Sequence, residues 1–279
     1  MGAITSESPL PEERNASCVV LLSHTLNDTT LARYRALANG MPSGFDVVLA
    51  LTEPYGEAVR ALALPQTEIL TPDEIYLPEY GAKAQSRRVT PGNTDLVTLA
   101  FARRRPWYRR IWLVEYDVLF PFGPAVLARL DAASDAELIT SRRLMSRAQR
   151  PRWVWWNSFQ PPESEVARLD PQEAVNGLCC ICRYGDRLLA ELDRAFRAGW
   201  VGHQEAVVPT IARLAGFDTE HLNEVAKRAI GRPVLTENSF RVRECAAEAG
   251  AMIYHPVKTL ALEARLMPEI QAAGASFRR

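Results

Sequence analysis

Residues 18–53 read CVVLLSHTLNDTTLARYRALANGMPSGFDVVLALTE. Two short apolar runs rich in β-branched residues, CVVLLSHT at 18–25 and FDVVLALTE at 45–53, bracket a segment of mixed polarity that closes at Asn39-Gly40. Apolar runs without alternation suit strands covered on both faces, the condition of a parallel sheet. Between them Leu31, Tyr34, Arg35, Leu37 and Ala38 fit a helix that Asp28 can cap. Strand, helix and strand in this order imply a right-handed βαβ unit. The expected class is therefore α/β, with a mostly parallel central sheet flanked by helices.

The unit belongs to a chain of 279 residues, 47% hydrophobic and 24% charged, a balance that supports a buried core. Lys plus Arg and Asp plus Glu stand at 33 each, so the net charge gives no reason to expect a nucleic-acid partner. No apolar run nears the ~20 residues of a membrane-spanning helix and no basic-then-apolar leader opens the chain, so a cytoplasmic location is expected. Residues 1–16 are polar, contain proline and lack periodicity, which fits a flexible tail. Cys179-Cys180-Ile181-Cys182 holds one C-x-x-C without a second pair, so reduced thiols in apolar packing are expected over a zinc site.

A second helical pattern opens at Pro91-Gly92-Asn93, carries Leu96, Leu99, Ala100 and Phe101, and ends at Arg103-Arg104-Arg105-Pro106. The apolar run IWLV at 111–114 then delivers Glu115 and Asp117; side chains two apart on an extended chain share a face. Ligands of open α/β sheets bind just beyond the carboxyl ends of the strands, which is where these acids fall. There is no G-x-G-x-x-G after the first strand and no G-x-x-x-x-G-K-[ST], so the usual dinucleotide and P-loop clamps are absent. Downstream the pattern predicts RWVWW as an extended segment, helices at about 186–198 and from about 200 through Leu214, extended TENSFRVR and MIYHPVK, and a last helix near 259–272.

Four groupings carry candidate chemistry. Glu115 and Asp117 offer oxygen ligands to a hard divalent cation, or form an ordinary solvated turn. His255 can complete a metal site and Lys258 can neutralise phosphate, unless the imidazole is a satisfied residue beside Pro256. Glu205, in GHQE, can accept a proton from a hydroxyl, or simply stabilise a helix N-terminus. The tryptophans of RWVWW can offer a ring on which a sugar packs, or belong to the core. Arg103, Arg104, Arg105, Arg109 and Arg110 suit a solvated helix end, with phosphate or a membrane surface as the rival.

Taken in order, YRRIWLVEYDVLF, WVWWNSF, LCCICRYG, GWVGHQEAVVPTIARLAGF, FRVR and IYHPVK resemble a family of bacterial and fungal proteins related to GT-A glycosyltransferases. Its marks are W-x-[IV]-E-Y-D-V, a tryptophan-rich segment, G-H-x-E-x-x-x-P-T and a late Y-H-P-V-K, and the likeness spans residues 17–258. The resemblance implies one GT-A-like domain over 17–279, with a nucleotide half at about 17–120 and an acceptor half at about 121–279. It implies Asp117 and His255 as ligands of Mn²⁺ or Mg²⁺, with Glu115, in place of the first Asp of D-x-D, meeting ribose or metal. Lys258 would face the diphosphate, Ser23 and Thr25 the base, and Asn93 and Asp95 the ribose or base. Glu205 is the implied catalytic base or acceptor contact, with Trp155, Trp156 and His203 on the acceptor side. The implied function is metal-dependent transfer from a nucleoside-diphosphate sugar to a glycan or other small hydroxyl acceptor, with peripheral membrane contact left open. A catalytically silent nucleotide- or glycan-binding relative and a metal-dependent phosphohydrolase are the rival functions.

Overall fold

The computed structural model describes residues 16–52, 54–64, 66–85, 92–166, 169–170, 172–236 and 252–275. The tail at 1–15, Pro91 and most of TENSFRVR lie outside the described residues. The strands are β1 (Ser17–Ser23), β2 (Phe45–Thr52), β3 (Thr67–Leu70), β4 (Arg110–Glu115), β5 (Leu138–Thr140), β6 (Met145–Ser146), β7 (Val175–Asn176), β8 (Ile181–Gly185), β9 (Thr219–His221), β10 (Leu235–Thr236) and β11 (Ile253–Tyr254). The helices are α1 (Asp28–Gly40), α2 (Gly56–Leu62), α3 (Pro72–Ile75), α4 (Ala82–Gln85), α5 (Thr94–Arg104), α6 (Val126–Ala132), α7 (Glu163–Val166), α8 (Asp186–Arg197), α9 (Gln204–Leu214), α10 (Leu222–Ile230) and α11 (Leu260–Ala275).

Seven strands form one sheet in the order β3-β2-β1-β4-β8-β5-β9. β1 runs parallel to both β2 and β4, with Val20 beside Val48 and Leu113, so it sits inside the sheet and every one of its residues is buried. Alternate side chains then feed two cores. Val20, Val48 and Leu113 pack with Phe101 of α5, Leu192 of α8 and Val207 of α9. Val19, Leu49 and Trp112 pack on the other face with Leu37 of α1, Leu130 of α6 and Val225 of α10. Each fully buried leucine or valine contributes about 2 kcal/mol relative to an exposed one, which is why the unalternating runs settle here.

The structure departs from the sequence expectation in three places. Asn27, not Asp28, caps α1, its Oδ1 accepting from the Thr30 amide at 3.0 Å, while Asp28 puts a charge in the first turn. β8, from the CCICRYG segment, runs antiparallel to β4 and β5, while the other pairings of this sheet are parallel, so the sheet is mostly parallel as expected but not wholly so. WVWWNSF forms a 3-10 turn over Val154–Ser158 rather than an extended segment, so the indoles do not alternate along one face.

At the far side of β4, Asp131 accepts from Trp112 Nε1 at 3.0 Å, Ser17 Oγ at 3.0 Å and Arg183 Nη1 at 3.1 Å, which offsets the cost of burying that guanidinium. α11 lays Leu266 and Ile270 on Leu119, Tyr254 and Val257, and its Glu263 meets Arg33 at 2.5 Å. No described helix is long and apolar enough to cross a membrane.

Candidate functional site

A cavity of about 460 Å³ opens just beyond the carboxyl ends of β1 and β4. Its wall is assembled from Leu22 and His24 at the end of β1, Glu115, Tyr116 and Asp117 at the end of β4, Gly92 before α5 and Thr94 at its start, and Leu178 and Cys180 before β8. Trp155, the start of α9 from His203 to Glu205, and His255 with Lys258 complete it.

β4 stops at Glu115 because the chain turns: the Val118 amide donates to Glu115 O at 3.0 Å and the Tyr116 amide to Leu22 O at 3.1 Å. Asp117 therefore belongs to a turn, and the turn rather than strand alternation brings the two carboxylates into one space. The late segment is pinned beside them by backbone bonds. Leu119 and Tyr254 exchange amide-to-carbonyl bonds at 2.9 Å in both directions, and the Val257 amide donates to Asp117 O at 2.7 Å. His255 Nε2 then lies 3.4 Å from Asp117 Oδ1 and 3.6 Å from Glu115 Oε2.

One ligand atom from each of Glu115, Asp117 and His255 falls within a mutual 4.8 Å. Asp117 Oδ1 is buried and has no hydrogen-bond partner. An unmet buried carboxylate oxygen beside a second acid and an imidazole is a donor set that a divalent cation satisfies, so these residues fit the implied metal. Burial works against a charge on His255, yet contacts from Asp117, Cys180 and Glu115 outweigh it and the imidazole is pushed up to about 12.

Glu205 enters from the first turn of α9. Burial pushes its carboxyl up to about 7, with the Cys179 amide pulling the other way and Glu115 adding to the rise. That amide donates to Glu205 Oε1 at 3.3 Å. His203 caps the same helix, its Nδ1 accepting from the Glu205 amide at 3.2 Å, so the remaining proton sits on Nε2. Burial, aided by the Lys83 charge, holds His203 down to about 4, and a neutral imidazole stacks on Trp155 at 4.6 Å and 20°. Gly92 makes room for this ring: its φ is +105°, and a Cβ there would stand 2.8 Å from His203 Cδ2.

Other expected site residues lie elsewhere. Ser23 Oγ donates to Thr25 O at 2.7 Å and meets Thr30 Oγ1 at 3.1 Å, so Ser23 and Thr25 tie the end of β1 to α1 and neither lines the cavity. Asp95 is fully buried against Lys83 at 2.8 Å, and Lys83 Nζ also donates to Gly202 O at 2.7 Å, bracing the wall from behind. Asn93 is buried between the cavity-lining Gly92 and Thr94. Trp156 belongs to the core, its Nε1 donating to Arg150 O at 2.9 Å. Residues that the sequence reading passed over do line the cavity, among them Gln204, Cys180, and the edge-to-face pair His24–Tyr116 at 5.2 Å. Gln204, His24 and Tyr116 each neighbour a residue chosen for its chemistry, whereas Cys180 belongs to the cluster read as apolar packing. Cys18, Cys179, Cys180 and Cys182 are buried and unbridged.

No family model matches the chain, and no curated protein matches it either. Among solved structures the chain is similar to a galactosyltransferase, LgtC, in complex with donor and acceptor sugar analogs, at 9% identity and a TM-score of 0.46 over 93% of this chain and 95% of that one.

Proposed function

We propose that the chain is a metal-dependent glycosyltransferase that moves a sugar from a nucleoside diphosphate to a hydroxyl acceptor. The observation that carries this reading is the convergence of Glu115, Asp117 and His255, with the unpartnered Asp117 Oδ1, in one cavity with Lys258 and Glu205. When bound there, Mn²⁺ or Mg²⁺ would supply Lewis-acid stabilisation to a leaving diphosphate. Glu115, Asp117 and His255 would hold the cation, and Lys258 adds a mobile point charge for the same oxygens. Glu205, with its carboxyl near 7, is part ionised at neutral pH and suited to take a proton from an acceptor hydroxyl. Trp155, backed by neutral His203, offers the acceptor an apolar ring face. We also propose that the fold is GT-A-like over residues 17–279.

Calorimetry of UDP and GDP with and without Mn²⁺ tests the reading. Metal-dependent binding is expected in the intact chain and should vanish in Asp117→Ala. No metal-dependent binding sinks it, whereas binding without turnover of a donor panel favours the silent relative.

A further inference from the structure

The chain has no net charge, yet its arginines are unevenly neutralised. The run at 103–105 is internally satisfied: Arg104 bonds Glu74 and Glu68, Arg105 bonds Glu68, and Arg103 bonds Tyr80 Oη at 2.8 Å. Arg110 likewise meets Asp135 at 2.6 Å. These side chains stitch α3, β3 and α5 together and leave little charge for a phosphate or a membrane.

The loop SRRLMSRAQRPRW, residues 141–153, is the opposite case. It holds Arg142, Arg143, Arg147, Arg150 and Arg152 and no acid. Among the described residues no carboxylate forms a salt bridge with Arg143, Arg147, Arg150 or Arg152. Arg142, Arg143 and Arg152 are exposed, and Arg147 lies 5.7 Å above the Trp156 ring. Both ends of the loop are fastened to the cavity wall. The Ser141 amide donates to the carbonyl of cavity-lining Leu178 at 2.8 Å, and Arg150 O receives the Trp156 indole next to cavity-lining Trp155. Within the loop Met145 pairs with Asn176 across β6 and β7, and the next amide, that of Gly177, donates to the carbonyl of cavity-lining Glu205 at 2.9 Å, which sets the loop beside the cavity.

We infer that the 141–152 loop is the anion-recognising rim of the acceptor subsite, and that the acceptor is a saccharide carrying carboxylate or phosphate groups. The inference rests on the glycosyltransferase reading of the cavity. Guanidinium groups without internal carboxylates present the planar fork that such groups bind bidentately. Four of them, Arg143, Arg147, Arg150 and Arg152, in one short loop of a neutral chain match an acceptor with more than one negative charge.

Calorimetry on the full chain, without nucleotide or metal, should show tetragalacturonate or a phosphorylated pentamannose binding roughly tenfold more tightly than neutral maltotetraose. The double variant R150S/R152S should lose most of that preference. R129S/R265S, which removes the same charge from exposed positions elsewhere, should keep it. UDP binding with Mn²⁺ should be the same in all three, which separates failure here from failure of the donor site. Equal affinity for charged and neutral sugars overturns the inference. So does an equal loss in both double variants, or a preference for phosphatidylglycerol vesicles over the soluble anionic sugars.

Discussion

Replacing Glu205 by glutamine should change how stability depends on pH. In the fold, burial lifts this carboxyl from 4.5 to about 7. In the unfolded chain it returns to its ordinary value, so between those two values the folded state binds the extra proton. Stability is then greatest below about 4.5 and falls as pH rises through 7. A displacement of that size corresponds to about 3 kcal/mol at most, reduced in practice because the side chain keeps some contact with solvent. The glutamine side chain cannot ionise and keeps the acceptor oxygen that the Cys179 amide uses at 3.3 Å. Urea unfolding of the metal-free protein with EDTA at a series of pH values between 4.5 and 8, for both chains, reads the difference directly. The Glu205→Gln variant should gain on the parent as pH rises, by about 1 to 3 kcal/mol at pH 8. A constant gap between the two chains across the range would refute the raised carboxyl and, with it, the reason for assigning Glu205 a proton-accepting role at neutral pH.

Asp117→Ala should abolish metal-dependent nucleotide binding, whereas Cys182→Ser, at a buried thiol outside the cavity wall, should leave it intact; calorimetry of both variants checks this. Gly92→Ala should cost about 2 kcal/mol in urea unfolding, since the new Cβ meets His203 at 2.8 Å and alanine disfavours a φ of +105°. An unchanged midpoint would mean that the His203 ring is not fixed there. Asp131→Ala should cost about 3 to 5 kcal/mol, because it strands the fully buried Arg183 and the Trp112 indole, and near-parent stability would show that water reaches this network.

What the sequence discloses here is burial, and what it hides is pairing. β1, β2 and β4 are legible because strands covered on both faces leave unbroken apolar runs, and α1 and α5 follow from periodicity, whereas the short α2, α3 and α4 carry no such pattern. The direction of β8 is not legible, since its apolar run would look the same whichever way it lay against β4. The same limit explains the site. Asp95 and Glu115 are both acids near an element boundary, and only the position of Lys83, supplied by a different helix, turns the first into a buried ion pair. Arg103 to Arg105 look like a free basic surface until Glu68 and Glu74 arrive from elements some thirty residues earlier. Trp155 and Trp156 are neighbours in one turn, yet one lines the cavity and the other fills the core. In each case a polar or aromatic residue is informative about function only after its nearest partner is known. Asp117 illustrates this: its backbone is held by Val257, and its buried Oδ1 lies 3.4 Å from His255 Nε2 without a hydrogen bond of good geometry. An acceptor left unsatisfied at that depth costs about 1 to 3 kcal/mol, which a bound cation would recover.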